Sequence, residues 1–393
     1  MSRKILAFLA TGAIVAAATP AVAGEPAARV KDTPSWSTKA ALPASAYAGL
    51  ACDVADPRLR KVRLPNGVGP EARVAAACLH LQYLDRAGAP TAPISIAASP
   101  TFPKKLIPTA RKSIAAGDRL TGQWGSAGRA YELILSNDPD WLCAKGRLVA
   151  EPGDVGKSSS APPWREVSQS GCPGADYSMA SWQGMNLGQE ADTYFSWQLI
   201  EPKDWAWIKD SPLDQSPAVN DESPLWYFPY LTHEFQHQMQ SYVSNAVTLN
   251  YGSADGRRND GPVGWYSEGQ AEFLGFTTSE LTKERTNMRA FKVAKARLGL
   301  KNNGWKAYDL RNDKHLRSAD TLYGAGYLAY EYLLAHYGLE KTVTWWSDWN
   351  TEECGSGKTW PCWVSKAPEL WGMTSEQMID VLNAYVAQQL SGA

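Results

Sequence analysis

The chain has 393 residues, of which 44% are hydrophobic, and a formal net charge of −1 at pH 7. This length is sufficient for a large buried core, and for two lobes rather than one compact domain. A net charge so close to zero provides no bulk electrostatic basis for binding nucleic acid or an anionic membrane, so we expect neither as a partner.

The first residues have the pattern of a cleaved secretory signal. Arg3 and Lys4 precede an apolar run over 5–18, and an A-x-A motif ends at Ala23. The apolar run is too short to span a bilayer comfortably; an uncleaved membrane anchor is the alternative. We therefore predict a signal peptide over 1–23, export to the periplasm or the extracellular space, and no integral membrane segment in the mature chain.

Six cysteines are present, and in an exported chain an even number indicates disulfides. None of them has the C-x-x-C spacing of a structural zinc site or a redox motif. The sequence alone does not select a pairing, but sequential pairs are favoured because each then closes a modest loop. The cysteines are Cys52, Cys78, Cys143, Cys172, Cys354 and Cys362.

The segment 24–90 is rich in Pro, Ala and Gly. It is predicted to be either an irregular N-terminal wrap or a removable pro-segment, with helical periodicity only over 73–84.

Residues 91–215 are predicted to form a mixed α/β lobe with a sheet. Apolar alternation indicates strands at 94–97, 131–135 and 193–200, and a helix is expected at 104–120. The Gly-, Ser- and Pro-rich stretch 151–191 predicts a loop region.

Residues 216–393 are predicted to form a mostly helical lobe. Two expected helix boundaries come from local signals: Gly338 ends one helix, and a capping box at Thr374 and Gln377 begins the last one. The helices are expected from 224 or after Pro229 to about 243, from 262 to 275, over 278–298, over 321–338 and over 375–389.

The first of these helices contains the pattern H-E-x-x-H, from His233 to His237. Residues i and i+4 of a helix lie on one face, so both imidazoles can converge on one Zn²⁺. Glu234 can reach a water molecule in an open coordination position. The alternative is a pair of ordinary helix histidines, which is disfavoured because the chain has only five histidines.

A catalytic zinc site requires a third protein ligand and leaves one position for water. A metzincin would have Gly at 240 and His at 243, where this chain has Gln240 and Val243. Glu268 and Glu272 stand four residues apart in the next predicted helix. Glu268 is the expected third ligand, and Glu272 can hydrogen-bond a ligand imidazole. A solvated helix acid is the alternative for Glu268.

Together, H-E-x-x-H and the later W-x-x-E-G-x-A-E resemble the gluzincin zinc metallopeptidases over about residues 215–340. The resemblance implies an α+β, zincin-like fold, with the zinc site at the seam between the α/β lobe and the helical lobe.

The resemblance also implies a role for each residue of the motifs. His233, His237 and Glu268 would be zinc ligands, Glu234 the general base, and Glu272 the acid behind the ligands. The implied reaction is hydrolysis of a peptide or protein substrate, in which Glu234 takes a proton from the attacking water and passes it to the leaving amine.

In that family a Tyr or His beyond the third ligand stabilises the oxyanion. The segment 322–328 resembles the family's Y-G-x-x-Y segment and makes Tyr323 the candidate, with His315 in reserve. A core aromatic is the alternative role for Tyr323. The chain lacks the G-x-M-E-N segment of the aminopeptidase branch, which favours an endopeptidase over an aminopeptidase.

Tryptophans are concentrated near the end of the chain. If exposed, they would bind sugar rings or aromatic side chains, whereas if buried they would form core. They support the alternative to an enzyme, a non-catalytic glycan- or protein-binding protein with a vestigial zinc site. These residues are Trp345, Trp346, Trp349, Trp360, Trp363 and Trp371.

Overall fold

Over the residues that it describes, the computed structural model is mostly helical and contains one four-stranded sheet. Within the part of the chain that the structure describes, none of the helices combines the length and the apolar character that a membrane span requires. The predicted signal peptide, three of the six cysteines, the side chain of Cys362 and most of the predicted loop at 151–191 lie outside the described residues. The described residues are 44–62, 64–65, 69–89, 91–102, 104–124, 130–136, 185–190, 193–199, 227–243, 261–284, 287–316, 318, 320–345 and 359–391.

The regular elements have the following bounds. The strands are β1 (Ile94–Ala98), β2 (Ala130–Ser136), β3 (Met185–Glu190) and β4 (Thr193–Leu199). The helices are α1 (Pro70–Asp85), α2 (Leu106–Thr121), α3 (Tyr227–Val243), α4 (Gly261–Leu281), α5 (Met288–Asn303), α6 (Asp313–Leu316), α7 (Gly326–Thr344), α8 (Thr359–Trp371) and α9 (Ser375–Ser391).

The sheet has the strand order β1-β2-β4-β3. β2 pairs in parallel with both β1 and β4, and β3 pairs antiparallel with β4. The predicted strands at 94–97, 131–135 and 193–200 agree with β1, β2 and β4. The prediction of a loop over 151–191 is wrong at β3. Its sequence MNLGQE alternates only from Met185 to Leu187, which is too short a pattern to indicate a strand, and β3 is formed by pairing with β4.

Helix α3 lies between two hydrophobic cores. Leu231, Phe235 and Met239, spaced four residues apart, are buried together with residues of α2 and β2. Pro229 is the third residue of α3, where the backbone has no intrahelical partner for an N–H, so it fits without breaking the helix. The opposite face of α3 turns towards α4, and this face carries His233.

The second core joins α1 with the helices of the C-terminal half. Trp265, Tyr266 and Tyr330 are fully buried in it, together with Cys78 of α1. A disulfide joins Cys78 to Cys52, with a Cα–Cα distance of 5.4 Å, as sequential pairing predicts. The segment before the sheet is therefore attached to the helical core both by packing and by a covalent bond.

The prediction of one helix over 278–298 is wrong. α4 ends at Leu281 and α5 begins at Met288, and between them Lys283 and Asn287 have positive φ angles of 63° and 61°. The Glu280 carboxylate accepts a hydrogen bond from the Met288 backbone N–H. This side-chain cap supports a new helix start that apolar periodicity does not reveal.

The two boundaries predicted from local signals are present. Gly338 interrupts α7 with a φ of 81°, although helical turns continue to Thr344. At the start of α9, the Thr374 N–H donates to Gln377 Oε1 at 3.0 Å and the Gln377 N–H donates to Thr374 Oγ1 at 3.2 Å. This reciprocal pair is the predicted capping box.

The segment Asp320–Ala325, which leads into α7, is a π-helical turn.

Candidate metal centre

Helices α3 and α4 carry the residues singled out from the sequence, and their backbones are in contact. A Cβ placed on Gly275 of α4 would lie 2.6 Å from the Pro229 carbonyl oxygen and 2.9 Å from the His233 backbone nitrogen. A Cβ on Gly269 would likewise overlap the backbone of Gly326 at the start of α7. Because glycines have no side chain, the helices approach closely at these contacts, and histidine and glutamate side chains of α3 and α4 can meet.

Three side chains meet between α3 and α4. Nε2 of His233 and Nε2 of His237 are 3.0 Å apart. Oε2 of Glu268 lies 3.4 Å from the first and 3.3 Å from the second. The three residues form a largely buried group that could hold a metal ion.

The donor atoms suit a divalent transition metal. Zinc bonds to histidine nitrogen and carboxylate oxygen at about 2.0–2.2 Å in tetrahedral geometry, which places ligand atoms about 3.4 Å apart. The observed separations of 3.0–3.4 Å are close to that value. Oε2 of Glu268 is buried and faces only the two imidazoles, so a cation held between the three groups would balance its charge. The residues therefore fit a metal, although other divalent transition metals use similar ligands.

The histidines and the carboxylate perturb one another's charge states. Burial alone would lower the pKa of His237, but the negative charge of Glu268 outweighs it and raises the pKa to about 9. Burial alone would raise the pKa of Glu268, but His237 and His233 hold it well below its usual range. In the absence of a metal the pair is thus an imidazolium and a carboxylate, and a metal ion would take the place of the proton.

Glu234 lies beside the three converging groups without joining them. Its Oε1 is 4.0 Å from His233 Nε2, and its side chain is only 13% exposed. Burial raises the pKa of Glu234 to about 6, against the opposing effect of the two histidines. A carboxyl group with this pKa can both accept and release a proton near neutral pH.

His233 has a charged partner behind it. Its Nδ1 lies 3.7 Å from Oε1 of Glu272, and the other oxygen of Glu272 forms an ion pair with Lys292 of α5. Glu272 and Lys292 are 3% and 6% exposed, and the Lys292 ammonium group stands 3.6 Å from the centroid of the Phe276 ring. The ion pair satisfies two buried charges and places a carboxylate oxygen next to His233.

His237 has a neutral partner behind it. Its Nδ1 lies 2.9 Å from Oε1 of Gln240, which is one turn further along α3. The Gln240 amide group donates to the Ser267 carbonyl oxygen at 2.9 Å and to Gln270 Oε1 at 2.8 Å. The two histidines therefore have different surroundings: Gln240 is within hydrogen-bond distance of His237, whereas Glu272 lies near His233 at 3.7 Å, beyond the distance of the hydrogen bond that was expected.

Tyr323 lies near the converging groups, in the π-helical turn before α7. Its ring centroid is 6.0 Å from that of His233, and the residue is partly buried. His315, held in reserve for the same role, stacks on Trp305 at 3.9 Å, and its Nδ1 accepts a hydrogen bond from the Asp309 backbone N–H. Of the two candidates, Tyr323 therefore lies beside His233, whereas His315 contacts Trp305 and Asp309.

Two of the tryptophans near the chain end form core. Trp345 and Trp371 are 1% and 3% exposed and pack against Tyr266. They are not available as a platform for a sugar ring. Trp346 and Trp349 lie outside the described residues, as do the side chains of Trp360 and Trp363.

Sequence reasoning missed two supporting residues, Gln240 and Lys292. The spacing of Gln240, three residues after His237, could have indicated contact on one helix face. No sequence signal points to Lys292, because its contact with Glu272 depends on how α5 packs.

Comparisons of the chain with protein-family models, with curated proteins and with solved structures found no match.

Proposed function

We propose that the protein is a zinc metallopeptidase that cleaves peptide bonds, with endopeptidase activity. The observation that supports this most directly is the convergence of His233, His237 and Glu268 from two helices, with the Glu234 carboxylate beside them. An ordinary pair of helix histidines would not require a buried carboxylate from a second helix to point at both rings. The Cys52–Cys78 disulfide further supports an exported protein.

Each protein group has a distinct task in the proposed reaction. When bound, zinc supplies Lewis-acid chemistry that makes water a better nucleophile and polarises a carbonyl group. Glu234 accepts the proton of the attacking water and later delivers it to the leaving amine, which its pKa of about 6 suits. The Tyr323 hydroxyl is proposed as a hydrogen-bond donor to the oxyanion that develops on the substrate.

Two variants separate metal binding from catalysis. Glu234→Gln keeps the size and burial of the side chain but removes the proton acceptor, so zinc should be retained at wild-type stoichiometry while hydrolysis is nearly abolished. Glu268→Gln should lose both zinc and hydrolysis. Metal content by elemental analysis and cleavage of an unstructured protein substrate, with and without chelator, measure the two properties. Full hydrolysis by Glu234→Gln would refute the assignment.

The position of cleavage tests the endopeptidase part of the proposal. Peptides with a blocked N-terminus should be cleaved as readily as free ones, because nothing in the proposal requires a free amine. Cleavage restricted to unblocked peptides, one residue at a time, would instead indicate an aminopeptidase.

A further inference from the structure

The side chain of Gln240 is buried, with 1% of its surface exposed, and it connects α3 to α4. Its amide group donates to the Ser267 backbone carbonyl and to Gln270 Oε1. Its oxygen receives a hydrogen bond from the Ser267 hydroxyl at 2.8 Å and faces His237 Nδ1 at 2.9 Å. All the polar atoms of this amide therefore have partners.

The partners determine which way the amide points. A backbone carbonyl only accepts hydrogen bonds, so the atom that faces the Ser267 carbonyl must be the nitrogen of Gln240. Rotating the amide by half a turn would place two oxygens against each other in a buried position, with the cost of two unsatisfied acceptors. The oxygen of Gln240 therefore faces His237.

The orientation of the amide in turn determines the tautomer of His237. An amide oxygen has no hydrogen to donate, so Nδ1 of His237 must carry one. In a neutral imidazole the other nitrogen, Nε2, then has the free lone pair. Nε2 is the atom that lies 3.0 Å from His233 Nε2 and 3.3 Å from Glu268 Oε2.

We propose that Gln240 is a positioning residue that holds His237 in the Nδ1–H tautomer and so directs the Nε2 lone pair at the metal. This inference rests on the metal site of the proposed function. Because Gln240 is neutral, it orients the ring without adding another negative charge beside Glu268.

The structure anchors this arrangement on a third helix. Gln270, which accepts from Gln240, donates to the Tyr330 hydroxyl of α7 at 3.5 Å, and Tyr330 donates to Thr342 Oγ1 at 3.0 Å. Tyr330 and Thr342 are fully buried. The acceptor that faces His237 is therefore held by a chain of buried hydrogen bonds and not by the rotamer of Gln240 alone.

Gln240→Met tests the proposal, with Gln236→Met as the matched control. Both glutamines are 1% exposed on α3, but Gln236 contacts Thr121 of α2 with its Oε1, at 3.1 Å. Zinc affinity is measured by competition with a chelator, and folding by thermal unfolding of the metal-free protein. We expect Gln240→Met to bind zinc about 10–100-fold more weakly, the usual effect of losing an outer partner of a ligand histidine, and Gln236→Met to bind within about 3-fold of wild type.

Nitrogen NMR of the zinc-loaded, ¹⁵N-histidine-labelled protein reads the tautomer directly. In wild type, His237 should show a protonated Nδ1 and a metal-bound Nε2. Gln240→Met, which removes the acceptor that faces Nδ1, should lose this pattern or show a mixture of tautomers. A merely structural role for Gln240 would lower the unfolding temperature without changing either the affinity or the ¹⁵N pattern.

The outcomes distinguish this inference from the proposed function. Unchanged zinc affinity in Gln240→Met, or zinc bound through Nδ1 of His237 in wild type, would overturn the inference alone. Zinc bound through Nε2 by a wild-type protein that cleaves no peptide would overturn the peptidase and leave the role of Gln240 intact. A wild-type protein that binds no metal at His237 would overturn both.

Discussion

Oε2 of Glu268 lies 3.3 Å from Nε2 of His237, although the two residues belong to different helices. The three converging groups exist only when α3 and α4 are packed together. The free energy of binding a metal ion there would therefore contribute to the stability of that packing, so we expect added metal to raise the stability of the folded protein.

Glu268→Gln tests this coupling. We expect the variant to bind zinc more weakly by more than about 100-fold, since losing a ligand costs more than losing an outer partner. Added zinc should raise the unfolding temperature of wild type but not of the variant. Glu369→Gln, at an exposed position on α8, is the control and should respond as wild type does. An equal rise in all three proteins would place the metal elsewhere.

Gly275→Ala tests the backbone contact that brings the helices together. The new Cβ would stand 2.6 Å from the Pro229 carbonyl oxygen, so α3 and α4 must separate. Overpacking of this kind costs about 1–3 kcal/mol in the free energy of unfolding. Because His233 lies at the contact, zinc affinity should fall as well. Chemical denaturation and chelator competition measure the two effects. A variant unchanged in both would show that α3 and α4 are not in tight contact at Gly275.

His80 provides a pH dependence that does not involve the metal site. Burial lowers the pKa of His80 from 6.5 to about 4. Between these values the unfolded chain binds the proton more readily than the folded protein, so this contribution to stability is present above pH 6.5 and is lost as the pH falls towards 4.

Replacing His80 with Gln should remove this effect. Relative to wild type, the variant should gain about 1–2 kcal/mol in the free energy of unfolding on going from pH 8 to pH 5. Urea denaturation at the two pH values gives the difference directly. If the free energies of unfolding of the two proteins differ by the same amount at pH 8 and at pH 5, the pKa of His80 is not lowered in the folded protein.

Local sequence signals anticipated the part of the site that lies on single helices. The spacing of His233 and His237 places them on one face of a helix, and Glu268 and Glu272 share a face of the next one. The resemblance to the gluzincins linked the two helices, and the structure brings these four residues together. The metal, the peptidase activity and the oxyanion role of Tyr323 stay predictions.

The features that sequence reasoning missed depend on contacts between elements. β3 has no strand pattern of its own and is defined by its partner strand. Lys292 meets Glu272 through the packing of α5 on α4, after a connection that includes the left-handed residues Lys283 and Asn287, and a helical pattern in the sequence does not predict these residues. The role of Gln240 depends on acceptors from another helix, Ser267 and Gln270, which no spacing rule within α3 can supply.

The ion pair between Lys292 and Glu272 also bears on which cations the site accepts. Glu234, Glu268 and Glu272 bring three carboxylates into a largely buried volume, and Lys292 brings one ammonium group. With the three carboxylates ionised and the lysine protonated, a doubly charged cation would make the formal charges of the whole assembly sum to zero. A singly or triply charged ion would leave a net charge away from water, which is costly. We therefore expect the site to favour a divalent cation, with Lys292 contributing through its charge although it is not among the three converging groups.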